Sequence, residues 1–481
     1  MNYRSTLFIT GVFLEVIAIT MLIPAFIDGL DSNPDWKIFI TSAFITSCVG
    51  GFMILTNSEK DFTLHIRDAF FLTAFSWICL PFFAALPFWL GNNDMSFTDS
   101  FFEAMSGLTT TGSTVISNLE QRPPGLLIWR SILQWLGGIG IIVMALSILP
   151  MLKVGGMQLF KMESSENEKI LPRVAQLASS IGIIYVALTL ICAILYYFYG
   201  MSFFDAINHA MTTLSTGGFS THDASIGFFH QDSIKIIGIL FCTLGSLPFV
   251  LYLKAVRGDW QSLFKDTQVQ TFLGAVLIFI AIMTTHTLLN GYYDDINKAI
   301  IQTSFNIMSV ISGTGYASTD YSQWGTFAIG FMFFITFIGG CAGSTSCGIK
   351  VFRFQIIYSI TITQMKKLLY PHGIFQAKYN GREISRDIPV SVLSFVFVYG
   401  ICFIFAALFL QFLGLDYMTA MSGAATAISN VGPGLGDIIG PAGNFAPLPD
   451  SAKWVLSICM MLGRLEVFTV LVIFTPQFWK E

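Results

Sequence analysis

The sequence predicts an all-α integral membrane protein with about ten transmembrane helices: four span/pore-loop/span repeats around a pseudo-fourfold pore, plus two extra N-terminal helices. Three observations predict it. The 481 residues are 54% hydrophobic and 11% charged, with a mean hydropathy of +0.69, whereas an average soluble domain is roughly one quarter charged. Ten apolar runs reach the ~20 residues that a helix needs to cross a bilayer. Four of the linkers between these runs carry a shorter apolar stretch that closes on small polar residues and a glycine.

The first two runs, approximately 5–27 and 38–56, stand outside the repeat and form an N-terminal extension over residues 1–60. The first has no basic leader or small-residue cleavage site and contains Glu15, so it reads as a retained helix. The remaining runs pair in order. Runs 69–91 and 131–152 belong to repeat 1 (61–155), and 174–201 and 236–253 to repeat 2 (170–258). Runs 267–291 and 321–349 belong to repeat 3 (266–372), whose second helix is broken, and 388–413 and 454–478 to repeat 4 (385–481).

An even number of spans puts both termini on one side. With the termini inside, the inner segments hold 18 of the 25 Lys and Arg and the outer segments 6, leaving Arg464 within a span. Basic loops stay in the cytoplasm, which places both termini there. Asp and Glu distribute the other way, 16 outside against 11 inside. An electronegative mouth concentrates cations; depletion of outer Lys and Arg by topology gives the same sign. The eight cysteines lie almost entirely in apolar runs and imply no disulfide framework.

The short linker stretches begin near Thr98, Phe203, Asn297 and Asp416, too apolar for free loops and too short to span. They align as AMSGLTTTGST (104–114), AMTTLSTGGFS (210–220), IMSVISGTGYA (307–317) and AATAISNVGPG (424–434). Glycine recurs at one register, Gly112, Gly218, Gly315 and Gly432, at spacings of 106, 97 and 117 residues. Such repetition sets an architecture.

Non-helical backbone at membrane depth must be buried in protein or line water. Four glycine turns at one depth supply a ring of carbonyls that replaces the hydration shell of a monovalent cation. The ion-facing candidates are Thr110, Thr111 and Gly112; Thr216, Gly217 and Gly218; Gly313, Thr314 and Gly315; and Asn430, Val431 and Gly432. The C-terminal ends of the short helices aim partial negative charge at the same spot, while Asp99, Glu103 and Asp205 suit their N-terminal ends. A single glycine turn would more readily mean helix packing; four in register favour the pore.

These strings resemble the Trk/Ktr/HKT superfamily of potassium transporters over the whole chain: TTTG, STGG, SGTG and SNVG, with GGCAGSTSCGIKVFR in the eighth span and MLGRLE in the tenth. The two extra N-terminal helices resemble the longer Trk-type members rather than the shorter Ktr-type subunits. The resemblance implies that the potassium ion is the cargo, with no organic cofactor on this chain. It also implies a homodimer with one pore per subunit, gated by a TrkA-like cytoplasmic nucleotide-binding regulatory subunit. Membrane lipid is the other expected partner and nucleic acid is not one. In plant relatives a serine at the first filter glycine accompanies sodium transport, so Gly112 favours potassium. The departure is Cys347, where the family string carries glycine.

Residues 339–348, GGCAGSTSCG, make a poor helix, since glycine costs up to ~1 kcal/mol per position relative to alanine. Gly339, Gly340, Gly343, Ser344, Thr345 and Gly348 therefore form a candidate gate below the filter, the alternative being close helix packing. Cys341 and Cys347 fall short of a metal set. Arg464, in CMMLGRLEVF, is a functional candidate because an arginine in mid-span costs several kcal/mol unless it faces protein or water. It is expected to project under the filter, balanced by carbonyls of the broken eighth span, which is also the part the matching arginine plays in the family. Glu466, two residues away, lies on a different helical face. Lys350 serves either the gate or orientation. The inner loops 153–173 and 364–387 offer surfaces for a gating partner or for anionic lipid.

Catalysis has no constellation to rest on: there is no HExxH or G-x-S-x-G, and His209, on the second short helix, reads as a structural, unpaired histidine. A proton- or sodium-coupled cation symporter is the competing reading, with Glu15 and Glu466 as the buried acids available for coupling. Such carriers often have inverted repeats, whereas these four run in the same sense.

Overall fold

A computed structural model describes residues 3–58, 65–91, 95–147, 170–385 and 387–480. Most of the inner loop 153–173 and Arg386 lie outside the described residues. Seven described helices are long and apolar enough to cross a membrane: Tyr3–Leu30, Trp36–Thr56, Ile66–Leu90, Pro124–Ile142, Gln176–Phe198, Thr267–Leu289 and Asp387–Phe412.

Three expected spans differ from continuous helices. The sixth bends by 94° between Asp232–Ser246 and Phe249–Val256, and the tenth by 110° between Asp450–Arg464 and Val467–Phe474. In the sixth the cause is Pro248, which lacks the N–H that would continue the ladder. In the tenth the break falls at Glu466, whose φ is 62°. The eighth span is helical only over Gly325–Ile335, so its break starts before the glycines that predicted it.

The N-terminal helices cross at two glycines: a Cβ on Gly11 would lie 2.8 Å from the carbonyl oxygen of Gly50, the close approach that small residues permit. Asp28 joins this pair to repeat 1, its Oδ1 accepting from the backbone N–H of Gly125 at 2.7 Å at the start of Pro124–Ser147. Glu15 lies within this extension, accepting from Ser47 Oγ at 2.8 Å.

The four short stretches form helices Phe97–Leu108, Phe203–Leu214, Ile296–Ser312 and Tyr417–Ser429. Each starts at a side-chain cap. Ser96 accepts from Asp99 N, Ser202 from Asp205 N, Asp295 from Asn297 N and Lys298 N, and Asp416 from Thr419 N. Such caps each contribute ~1 kcal/mol by satisfying an orphan donor. The hydrogen bonds from Thr419 hold the Asp416 carboxyl below its ordinary range. Burial pushes the Asp205 carboxyl up, but bonds from His222, Thr221 and Ser202 outweigh it and hold it low.

Packing closes a ring. The first short helix lies against Asp450–Arg464 of the last repeat, the second against Pro124–Ser147 of the first, and the third against Asp232–Ser246 of the second. Between the third and fourth repeats, Val431 and Leu435 share an apolar cluster with Met332 and Ile335.

A four-strand ring and the loop beneath it

The strand after each short helix enters in left-handed backbone: φ is 51° at Thr110, 52° at Thr216, 76° at Gly313 and 53° at Asn430. Two residues later φ is again positive, 89° at Gly112, 78° at Gly218, 77° at Gly315 and 112° at Gly432. A β-branched threonine at positive φ is a true outlier. Strain of this kind, on the order of 1–3 kcal/mol, persists only where the surroundings over-determine it.

Those surroundings are the neighbouring strands. A Cβ on Gly112 would lie 2.2 Å from the carbonyl oxygen of Gly217, one on Gly218 1.8 Å from that of Thr314, and one on Gly315 1.8 Å from that of Val431. One on Gly432 would lie 2.8 Å from that of Thr111. Each glycine therefore faces the carbonyl one residue before the next glycine, and the fourth contact returns to the first strand. Glycine is required twice at these positions, by dihedral and by space. Eight of the twelve residues named from sequence, Thr111, Gly112, Gly217, Gly218, Thr314, Gly315, Val431 and Gly432, thus meet in one closed set of contacts. A cavity of about 520 Å³ opens onto the ring and is lined by Gly112, Gly218, Gly315, Pro433, Asp223 and Asp437.

Side chains hold the ring from behind, among them Gln134 and Ser113, which sequence reasoning did not assign, and Asn430, which it did. Gln134 donates from Nε2 to Gly217 O at 2.6 Å and accepts from Phe219 N at 3.0 Å. Ser113 Oγ donates to Gly432 O at 2.7 Å, and Asn430 Nδ2 donates to Thr111 Oγ1 at 2.9 Å and to Met460 O at 2.8 Å. Glu103 is not at a helix N-terminus in effect: it is buried behind the first strand, paired with Arg130 at 2.7 Å. Its place seven residues into Phe97–Leu108 turns it toward the returning strand. His209 is not unpaired either, since Nδ1 lies 2.9 Å from Asp205 O and Nε2 3.0 Å from Ser220 Oγ.

Beneath the ring, residues 336–350 form a closed loop. Gly339 N donates to Ile349 O and Ile349 N to Phe337 O, both at 3.0 Å. The loop satisfies the backbone that the bend in the sixth span leaves open. Thr345 N and Cys341 N donate to Gly245 O and Ser246 O at 3.1 and 2.9 Å, and Phe249 N donates to Gly343 O at 2.9 Å. Two broken spans thus complete each other, as backbone without water requires. Gly340 N bonds Ser346 Oγ at 2.9 Å, and Ser344 Oγ bonds Cys341 O at 2.6 Å. Gly348 has φ 73°. Thr345 Oγ1 lies 3.1 Å from Leu214 O and accepts from Thr216 Oγ1 at 3.2 Å, tying the loop to the second strand.

Arg464 is 2% exposed. Its guanidinium donates to Thr345 O at 3.1 Å, to Gly137 O at 2.8 Å and to Cys347 Sγ. The cysteine that departs from the family string is therefore a contact of this arginine. Glu466 pairs with Arg353 instead; it lies in the break after the helix ends at Arg464, not on another face of one continuous helix as expected. Lys350 Nζ donates to Ser346 O, within the loop.

The chain matches the TrkH family, described as cation transport proteins, over residues 36–481. It is 45% identical to the Trk system potassium uptake protein TrkI of Halomonas elongata, over 97% of this chain and 95% of that protein. It is 36% identical to the Trk system potassium uptake protein TrkH of Vibrio parahaemolyticus, over 100% of both. Among solved structures it resembles the crystal structure of the potassium transporter TrkH from Vibrio parahaemolyticus, with a TM-score of 0.93 and 34% identity over 100% of both chains.

Proposed function

Because this chain belongs to the TrkH family of cation transport proteins, we propose that it is a potassium uptake protein that selects the ion in the four-strand ring and is closed below by loop 336–350 and Arg464. The observation that carries this reading is the closed sequence of contacts from Gly112 to Gly217, Gly218 to Thr314, Gly315 to Val431 and Gly432 to Thr111. A potassium ion sheds its water only where oxygen dipoles surround it, and four strands at one level offer them from every side. Carbonyls that already accept from Gln134 and Ser113 keep a second lone pair for an ion. The short helices add the negative ends of their dipoles.

Arg464 sets the barrier. At ~10 Å and an effective dielectric of about 20, one positive charge opposes a monovalent cation by ~1.7 kcal/mol. The carbonyls of Thr345 and Gly137 hold it there, and withdrawal of the loop would release it. Passive conduction fits better than coupling to protons or sodium: Glu15 lies in the N-terminal extension and Glu466 is paired with Arg353. In keeping with the family resemblance, the chain works as a homodimer in the inner membrane with its termini in the cytoplasm, and a nucleotide-binding cytoplasmic subunit moves the loop.

The test is cation flux into liposomes holding the purified chain, comparing potassium, rubidium, sodium and lithium with and without a proton gradient. Potassium and rubidium flux that ignores the gradient is expected; uptake that requires it would overturn passive conduction. In the same assay Arg464→Ala is expected to raise flux about twentyfold, the equivalent of the barrier above. Inactive, misfolded protein would mark the arginine as structural.

A further inference from the structure

We propose that Arg130, with Glu103 and Gln134, positions the filter for ion selection, locking the first strand to the second; this rests on the filter reading above. Arg130 and Gln134 stand four residues apart on Pro124–Ser147, the spacing that puts two side chains on one helical face. Between them they hold three backbone groups of the second strand. Gln134 takes Gly217 O and Phe219 N, and Arg130 Nη1 donates to Ser220 O at 2.8 Å. The guanidinium carbon Cζ lies over the Phe219 ring, 4.1 Å from its centre.

The same guanidinium also holds the first strand. Its Nε donates to Glu103 Oε1 at 2.7 Å and its Nη2 to Thr114 Oγ1 at 3.1 Å, while Glu103 accepts from Val115 N at 2.9 Å and from Thr114 Oγ1 at 3.0 Å. Two strands from different repeats are thus registered against one rigid planar group. Both charges are buried, at 1% and 0% exposure. A buried pair of this kind contributes little net stability, because desolvation offsets its attraction; geometry is what it supplies. Lysine, a point donor on a flexible stem, cannot reach three acceptors in a fixed fork. Whether selection depends on cavity size or on carbonyl field strength, it depends on where these strands sit.

The experiment measures the potassium-to-sodium flux ratio in liposomes for Glu103→Gln, which keeps shape, and Arg130→Lys, which keeps charge. Gly218→Ala serves as the control for the ring, and thermal melting is recorded for every variant. Each brace variant is expected to lower the ratio about tenfold, as loss of a charge-assisted hydrogen bond allows, and the double variant to fall little further because the residues act as one network. An unchanged ratio with a lowered melting temperature would make the pair merely structural and overturn the proposal. Should neither single variant fold, Thr114→Val, which removes the hydroxyl shared by both partners, decides on the same criterion. If Gly218→Ala also leaves the ratio unchanged, the filter reading itself fails; if only the brace variants do, the brace alone fails.

Discussion

Where the first strand of the ring meets the second, Arg130 and Gln134 of one helix bind three backbone groups of residues 217–220, and an ion pair closes the join from behind. Where the third strand meets the fourth, Val431 and Leu435 lie among Met332, Tyr321 and Ile335, and among the described residues no hydrogen bond crosses from strand to strand. The glycine contact is as close in one place as in the other, 2.2 Å for Gly112 and 1.8 Å for Gly315. Four copies of one motif therefore share their backbone geometry while being held by different forces. Directional bonds fix the first join to a particular geometry. Packing at the last join is non-directional and can relax around a changed side chain.

The comparison breaks most severely at the glycines, which both kinds of join need. Gly218→Ala puts a carbon 1.8 Å from Thr314 O at φ 78°. The strand must move, and the potassium-to-sodium flux ratio is expected to fall about a hundredfold, the equivalent of ~3 kcal/mol. Gly432→Ala, with its nearest oxygen at 2.8 Å, is expected to lose clearly less. Equal effects would mean that the spacing of the ring is not what selects.

Gln134→Met tests the polar join without touching the ion pair. It leaves Gly217 O and Phe219 N without their side-chain partners, at ~1–3 kcal/mol for each buried group. A lower melting temperature and a severalfold lower flux ratio are expected together. Val431→Ala tests the apolar join: lost packing costs about 2 kcal/mol, so melting should drop while the ratio stays within about twofold. A large selectivity loss there would erase the distinction between the joins. The smallest effect belongs to Asp416→Ala, which removes the cap of the fourth short helix. It is expected to cost ~1 kcal/mol of stability, seen in melting and not in selectivity.

The features legible in the sequence were those that repeat or that violate the solvent. Gly112, Gly218, Gly315 and Gly432 stood out because four linkers share a register, and Arg464 because charge in an apolar span demands a reason. The short helices begin within a residue of where the linkers suggested. Gln134 carried the same polar-in-apolar signal as Arg464 and was readable in principle. The brace was not, because its parts lie far apart in sequence: Arg130 is 27 residues from Glu103 and 90 from Ser220, and no local pattern links them. The bend in the sixth span was missed, although Pro248 lies within the run expected to be continuous, and the backbone that bend exposes is satisfied by a loop about a hundred residues later. The bend at Glu466 had no sequence signal, since a glutamate at φ 62° is set by tertiary contacts such as the one with Arg353.

The central claim is that the four strands enclose the ion. The most direct measurement is anomalous scattering from crystals of the protein grown in rubidium, an ion expected to follow the potassium path. The account requires rubidium on the axis enclosed by Gly112, Gly218, Gly315 and Gly432. A ring free of rubidium, with the ion bound instead beside Glu15 or Glu466, would contradict it.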